Sequence, residues 1–208
     1  LWQSERKRTL QTGWGAQLLA LQSADDRWGG GIYSPKWIST TYTLQTLCDI
    51  GIPRDHAPAR RAAELVLSQQ LGRSATDAAF ATNLADCDRC IVGMDLWIAA
   101  YFGIRDARVD AILDNLLSEV MPDGGWNCRR LRKPRPHHSS FHTTFNVLDG
   151  LREWLEATPS HPLRGAVLAA EQRALALLLE HRLFKSDKTG KVIDRRFTLL
   201  PYPHRWHY

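Results

Sequence analysis

With 208 residues, 44% of them apolar and 24% charged, the chain is long enough to bury a sizeable core, and its make-up excludes disordered, collagenous and disulfide-stapled classes. The net charge is only +5, and much of the surplus sits in one Pro-interrupted stretch, Arg129, Arg130, Arg132, Lys133 and Arg135. A nucleic-acid binder spreads its basic residues along a helix or strand face, so that class is excluded. No apolar run approaches the ~20 residues of a membrane span, which leaves peripheral contact as the only expected kind of membrane association. The start, Leu1-Trp-Gln-Ser-Glu-Arg-Lys-Arg, has neither a signal peptide nor an initiator Met, and the expectation is a trimmed or partial cytoplasmic chain. In that setting Cys48, Cys87, Cys90 and Cys128 are expected as free thiols or metal ligands.

The stretch TLQTGWGAQLLALQS (9–23) reads as a helix weakened by two glycines. RWGGGIYSPKWISTTYTLQTLCDIGI (27–52) runs from a glycine-rich loop into an apolar helix over 38–50. HAPARRAAELVLSQQL (56–71) is amphipathic. TDAAFATNLADCDRCIVGMDLWIAAYFGI (76–104) passes through polar residues into a second apolar helix over 90–102. ARVDAILDNLLSEV (107–120) carries one stripe, Val109, Ile112, Leu116, Leu117 and Val120. DGGWNCRRLRKPRPHHSSFHTTFNVLDGL (123–151) repeats the glycine–tryptophan turn and enters a third apolar helix over 142–155, with Ser139 or Ser140 as its cap and His137 and His138 exposed. HPLRGAVLAAEQRALALLLEHRLF (161–184) begins with Pro in its first turn. No alternating strand pattern occurs, so the fold class is all-α.

Three of these stretches resemble one another. Aligning them by their helix entries puts Ile38, Cys90 and His142 at equivalent places, 52 residues apart in each step. PYPHRWHY (201–208) begins a fourth entry, with Trp206-His207 echoing Phe141-His142. The repeated helices are apolar on most faces and must be buried on both sides, whereas the intervening ones are half-exposed. Two layers of helix pairs follow, an inner ring and an outer ring, each pair stacking on the next and each entry loop lying on one rim.

The turns RWGGGIYSPKWISTTYTLQTL and DGGWNC…FHTTFNVLDGL resemble the repeats of the squalene cyclase and prenyltransferase superfamily, from about Gly13 to the end of the chain. The resemblance implies an α/α toroid. A closed toroid in that family takes five or more helix pairs; this sequence holds about three and a half. Residues 1–208 are therefore expected to form a single toroid domain truncated at its C-terminus, closed by further residues or by a partner.

Two branches of that superfamily meet on DCDRCIVGM (86–94). The cyclase branch implies an Asp-rich proton donor: Asp86 and Asp88 match its first two acids, Arg89 replaces the third, and an Arg beside Asp88 is expected to make it a poorer acid. Trp37, Tyr42, Trp97, Tyr101, Phe141 and Phe145 are then candidates for lining an apolar cavity, against the plainer reading that they are core. The protein prenyltransferase branch implies zinc held by Asp88, Cys90 and, in FHTT, His142. Repeat geometry supports this independently, since equivalent positions on neighbouring helices 8–10 Å apart can meet one ion. A Cys87, Cys90, Cys128 and His142 structural site is a further arrangement, and buried hydrophobic cysteines the plainer one. Arg129, Arg130 and Arg132 would receive a diphosphate head group, or simply be a solvated loop. The expectation is an isoprenoid-handling enzyme, a terpene cyclase or prenyltransferase, binding an isoprenoid or prenyl diphosphate, with zinc as its cofactor. The alternative is a non-catalytic scaffold domain with a structural zinc.

Overall fold

The computed structural model describes residues 2–128 and 136–198, apart from the side chains of Trp2 and Arg196. Among these residues the ordered elements are helical: α1 (Trp2–Arg8), α2 (Gly13–Ala20), α3 (Thr40–Asp49), α4 (Ala57–Gln70), α5 (Ala78–Asp86), α6 (Arg89–Tyr101), α7 (Ala107–Ser118), α8 (Phe141–Ala157) and α9 (Arg164–Glu180), followed by a 3-10 turn (Arg195–Thr198). Extended pairing among them amounts to two isolated bridges, Trp28 with Gly31 and Lys185 with Val192. None of these helices is long and apolar enough to cross a membrane.

The three helices expected to be buried on both sides are α3, α6 and α8. Eight of the ten residues of α3 are buried, and α6 exposes little beyond Cys90, Ile91 and Trp97. By contrast α4, α7 and α9 each bury one stripe: Ala59, Ala62, Ala63, Val66 and Leu67; Val109, Ile112, Leu113 and Leu116, with Arg108; Val167, Ala170, Ala174, Leu177 and Leu178. The contacts follow the same division: α3 packs on α6 and α6 on α8, while α4 lies against α3 and α6, α7 against α6, and α9 against α8 and α7. One apolar core runs from Trp28 to Leu178. The short helices α1 and α5 are additions to the pattern read from the sequence.

Two glycines let α6 and α8 approach backbone to backbone. A Cβ on Gly93 would sit 2.6 Å from the carbonyl oxygen of Asn146, and one on Gly150 would sit 2.5 Å from that of Gly93. No side chain can occupy either place without separating the helices.

The tryptophan turns are a true structural repeat. In the first, Ser23 N–H donates to Arg27 O and Asp26 N–H to Ser23 O, at 2.8 and 3.0 Å; in the second, Met121 N–H donates to Gly125 O and Gly124 N–H to Met121 O, at 2.9 and 2.8 Å. Asp26 and Gly124, 98 positions apart, both take positive φ, 62° and 100°. Each indole donates to a carbonyl of the preceding helix, Trp28 to Leu18 and Trp126 to Leu116, both at 2.7 Å. Each tryptophan N–H donates to a threonine hydroxyl of the following helix, Thr40 or Thr144, both at 3.1 Å. The threonine pair keeps the spacing that equates Ile38 with His142. The middle unit lacks this turn; α5 stands in its place, with Phe80 as its buried aromatic.

Candidate functional site

The helix entries of all three units meet at one cleft of about 380 Å³. The loop before α3 contributes Tyr33 and Lys36; the start of α6 contributes Asp88, Cys90 and Met94; the third unit contributes Cys128 from its loop and Ser140, His142, Thr143 and Asn146 from the entry of α8. Each position has a local cause. Asp88 is the N-cap residue of α6 and Ser140 that of α8, where the Ser140 hydroxyl accepts from Thr143 N–H at 3.4 Å, as the sequence led one to expect. Cys90 and His142 then fall in the first turns of neighbouring inner helices.

The closest chemistry is a pair of thiols. The sulfurs of Cys90 and Cys128 lie 3.2 Å apart, and the Thr143 hydroxyl lies 3.3 Å from Cys128. With both sulfurs as thiols Cys128 donates to Cys90; once one ionises, the charge settles on Cys128, where the Thr143 hydroxyl also supports it, and Cys90 becomes the donor. The hydrogen bond to Cys128, with burial next, pushes the Cys90 thiol up. The hydrogen bond from Cys90 pulls the Cys128 thiol down to about 7, against the opposing effect of burial, with Thr143 assisting. Tyr33 faces both Cys90 and Asp88; burial first, then its neighbour Tyr42, raises its hydroxyl.

Asp88 makes no cap bond to its helix, and its Oδ1 is buried with no hydrogen-bond partner among the described residues. A buried carboxylate oxygen without a partner is costly and suits a cation. Two thiolates on one zinc stand about 3.8 Å apart, given Zn–S near 2.3 Å in a tetrahedron, so the Cys90–Cys128 pair needs only a small opening. Among the described residues, however, no three His, Cys, Asp or Glu groups converge closely enough to clasp one ion. The donor types fit a soft cation; their present spacing brings together two sulfurs only.

Other expected site residues lie elsewhere. Asp86 ends α5 exposed to solvent and does not line the cleft, so it forms no acid pair with Asp88. Arg89, expected to weaken Asp88 as an acid, turns away instead: its buried guanidinium donates to the carbonyls of Leu84, Ala85 and Cys87 at the end of α5, and to the Asn115 side chain. A cation ties down orphan carbonyls at a helix C-terminus, which explains why Arg follows the acids here. Cys87 is half-buried and does not line the cleft. Phe141 packs against His181 and Phe197, on the side of α9 and the 3-10 turn, so it belongs to the core. Trp97 lies two turns along α6 from Cys90, half-buried against the core. Tyr42 is buried behind Tyr33, with Trp37 at 4.9 Å and Tyr33 at 5.4 Å between ring centres. Trp37 itself holds φ 76°, a left-handed conformation that a bulky side chain rarely adopts. His137 and His138 are exposed. Arg129, Arg130, Arg132, Lys133, Arg135 and the 201–208 entry lie outside the described residues.

Tyr33, Lys36, Met94, Thr143 and Asn146 were not foreseen. Tyr33 and Lys36 carried a signal, since they lie in the loop that leads through Ile38 into α3. Phe197, packed against the core, lies with its ring 5.8 Å from that of His142. Compared with protein-family models, with proteins of curated function and with solved structures, the chain matches none. The likeness to the squalene cyclase and prenyltransferase repeats therefore rests on the repeat residues themselves.

Proposed function

We propose that this chain is part of an α/α toroid that handles an isoprenoid, and that the cleft at its helix entries holds a soft cation, zinc, beside the polar end of the ligand. The observation that supports this reading is the meeting of Cys90 and Cys128, together with Asp88 and His142, in one cleft fed by three repeat units. In this reading the two sulfurs are the first ligands, and the partnerless oxygen of Asp88 and the ring of His142 complete the set. With its four positions taken by the protein, bound zinc would supply positive charge that holds its ligating thiols deprotonated beside the polar end of the ligand. Lys36, at the cleft's edge, meets the oxygens of a diphosphate. In this reading the apolar chain runs from the cleft along α6, past Met94 and the exposed part of Trp97. A cytoplasmic, reducing compartment keeps both thiols available.

A second reading has one observation in its favour. Asp86 is exposed and unpaired with Asp88, so the two-acid arrangement of cyclisation chemistry has no support, and a scaffold domain with a structural zinc becomes the rival. Titration of the reduced chain with zinc, then with a prenyl diphosphate, separates the two. The enzyme reading expects one zinc per chain, prenyl diphosphate binding that depends on it, and loss of both in a folded Cys90→Ala variant. Zinc whose removal unfolds the chain, with no prenyl diphosphate bound, favours the scaffold. A folded chain that takes up neither overturns both.

A further inference from the structure

We propose that Cys90 and Cys128 form a reversible dithiol–disulfide site that reacts with hydrogen peroxide, so that oxidation closes the cleft's sulfur pair. The inference concerns the same cleft as the metal reading but does not require a metal. Its support is geometric. The two sulfurs, 38 residues apart in sequence, are already 3.2 Å apart, and a side-chain rotation of about 1 Å brings them to the ~2.05 Å of a disulfide. Both line an open cleft, so a molecule as small as a peroxide reaches them. The other two thiols lack this setting: Cys48 is buried in the core and Cys87 lies outside the cleft.

The chemistry balances. One sulfur attacks a peroxide oxygen; the S–O bond forms, the O–O bond breaks, and the departing hydroxide takes the thiol proton as water. The second sulfur attacks the resulting sulfenic acid; the S–S bond forms, the S–O bond breaks, and a second water leaves. Two thiols and one peroxide give one disulfide and two waters, whichever sulfur is attacked first. A dithiol reductant returns the pair. In the oxidised form neither sulfur remains a thiolate ligand, so a cation held by the pair is released.

The test treats the reduced, chelator-washed full chain with hydrogen peroxide and maps its peptides. The expected product is a Cys90–Cys128 cross-linked pair within one chain, lighter by two hydrogens, reversed by dithiothreitol and absent in both Cys90→Ser and Cys128→Ser. Circular dichroism confirms that the variants fold. Bridges that join Cys87 to either residue, bridges only between chains, or a pair that stays reduced while Cys87 or Cys48 oxidises would overturn the proposal. Zinc binding is read separately on the reduced chain. A chain that binds no zinc yet closes this bridge sinks the metal reading alone; one that binds zinc yet never closes it sinks this inference alone.

Discussion

The turn around Trp28 and the turn around Trp126 are built from the same hydrogen bonds, yet they deliver different residues to the cleft's edge. Both wrap a buried indole onto the preceding helix and fasten to a threonine of the next. At the matching position, which falls two residues before α3 in the first unit and in the first turn of α8 in the third, the first presents Ile38, 59% exposed, and the third presents His142 inside the cleft. The turn is thus a structural device and the entry residue is the variable part. Chemistry gathers between the second and third units because only their entries carry sulfur and imidazole. The first unit contributes Tyr33 and Lys36 from its loop instead.

That equivalence can be broken at several points. Trp28→Ala and Trp126→Ala each remove a buried indole, and each is expected to lower unfolding stability by about 3–5 kcal/mol. Similar losses in urea denaturation support the equivalence; a loss confined to Trp126 would mean the first turn is an ornament at the edge. The next largest effect falls on the seam joining the second and third units. Gly150→Ala drives a methyl into the carbonyl of Gly93 and is expected to cost about 3 kcal/mol or more, with the α6–α8 contact, and hence the Cys90–Cys128 approach, loosened.

A third test concerns the middle unit alone. Asp95 is fully buried on α6, accepts a bond from the Gln70 amide at 2.6 Å, and has a second oxygen with no partner among the described residues. Burial raises its carboxyl well above the ordinary range. The unfolded chain therefore releases this proton at lower pH than the folded one, and stability falls as pH rises from about 4 toward the folded value. Asp95→Asn is expected to raise stability at neutral pH and to flatten that fall, as followed by thermal melts across pH. An unchanged pH profile would show that Asp95 ionises freely in the fold. The smallest effect is expected from the threonines: Thr40→Val and Thr144→Val each leave a buried tryptophan N–H without its acceptor, at a cost of about 1–2 kcal/mol apiece.

Much of this architecture was legible in the residues. Helices α3, α6 and α8 announced themselves by apolar residues on most faces, and the 52-residue step from Cys90 to His142 matches the entries of α6 and α8, whereas α3 begins only at Thr40 and leaves Ile38 ahead of its cap. The close seam was harder to read, because Gly93 and Gly150 look like weak helix formers until a neighbouring backbone is set against them. The carboxylates are hard to read for a related reason. Asp86, Asp88 and Arg89 look like one acidic motif in sequence, but a helix ends at Asp86 and another begins at Arg89, and that break turns Asp86 to solvent and Arg89 onto carbonyls. Phe141 resembled a cavity lining, yet its first-turn position points it toward α9 and Phe197, an element with no clear signal in the sequence. Cys128 was placed on the correct rim by its turn, although nothing in its spacing showed that it would meet Cys90 before His142.

The most direct measurement is a cobalt titration of the reduced full chain, since thiolate ligands give cobalt an intense charge-transfer absorption. The account predicts one cobalt per chain, a band lost in Cys90→Ser and in Cys128→Ser and kept in Cys48→Ser, with displacement by zinc. A folded chain that develops no such band, or one whose band survives both cleft substitutions, would contradict it.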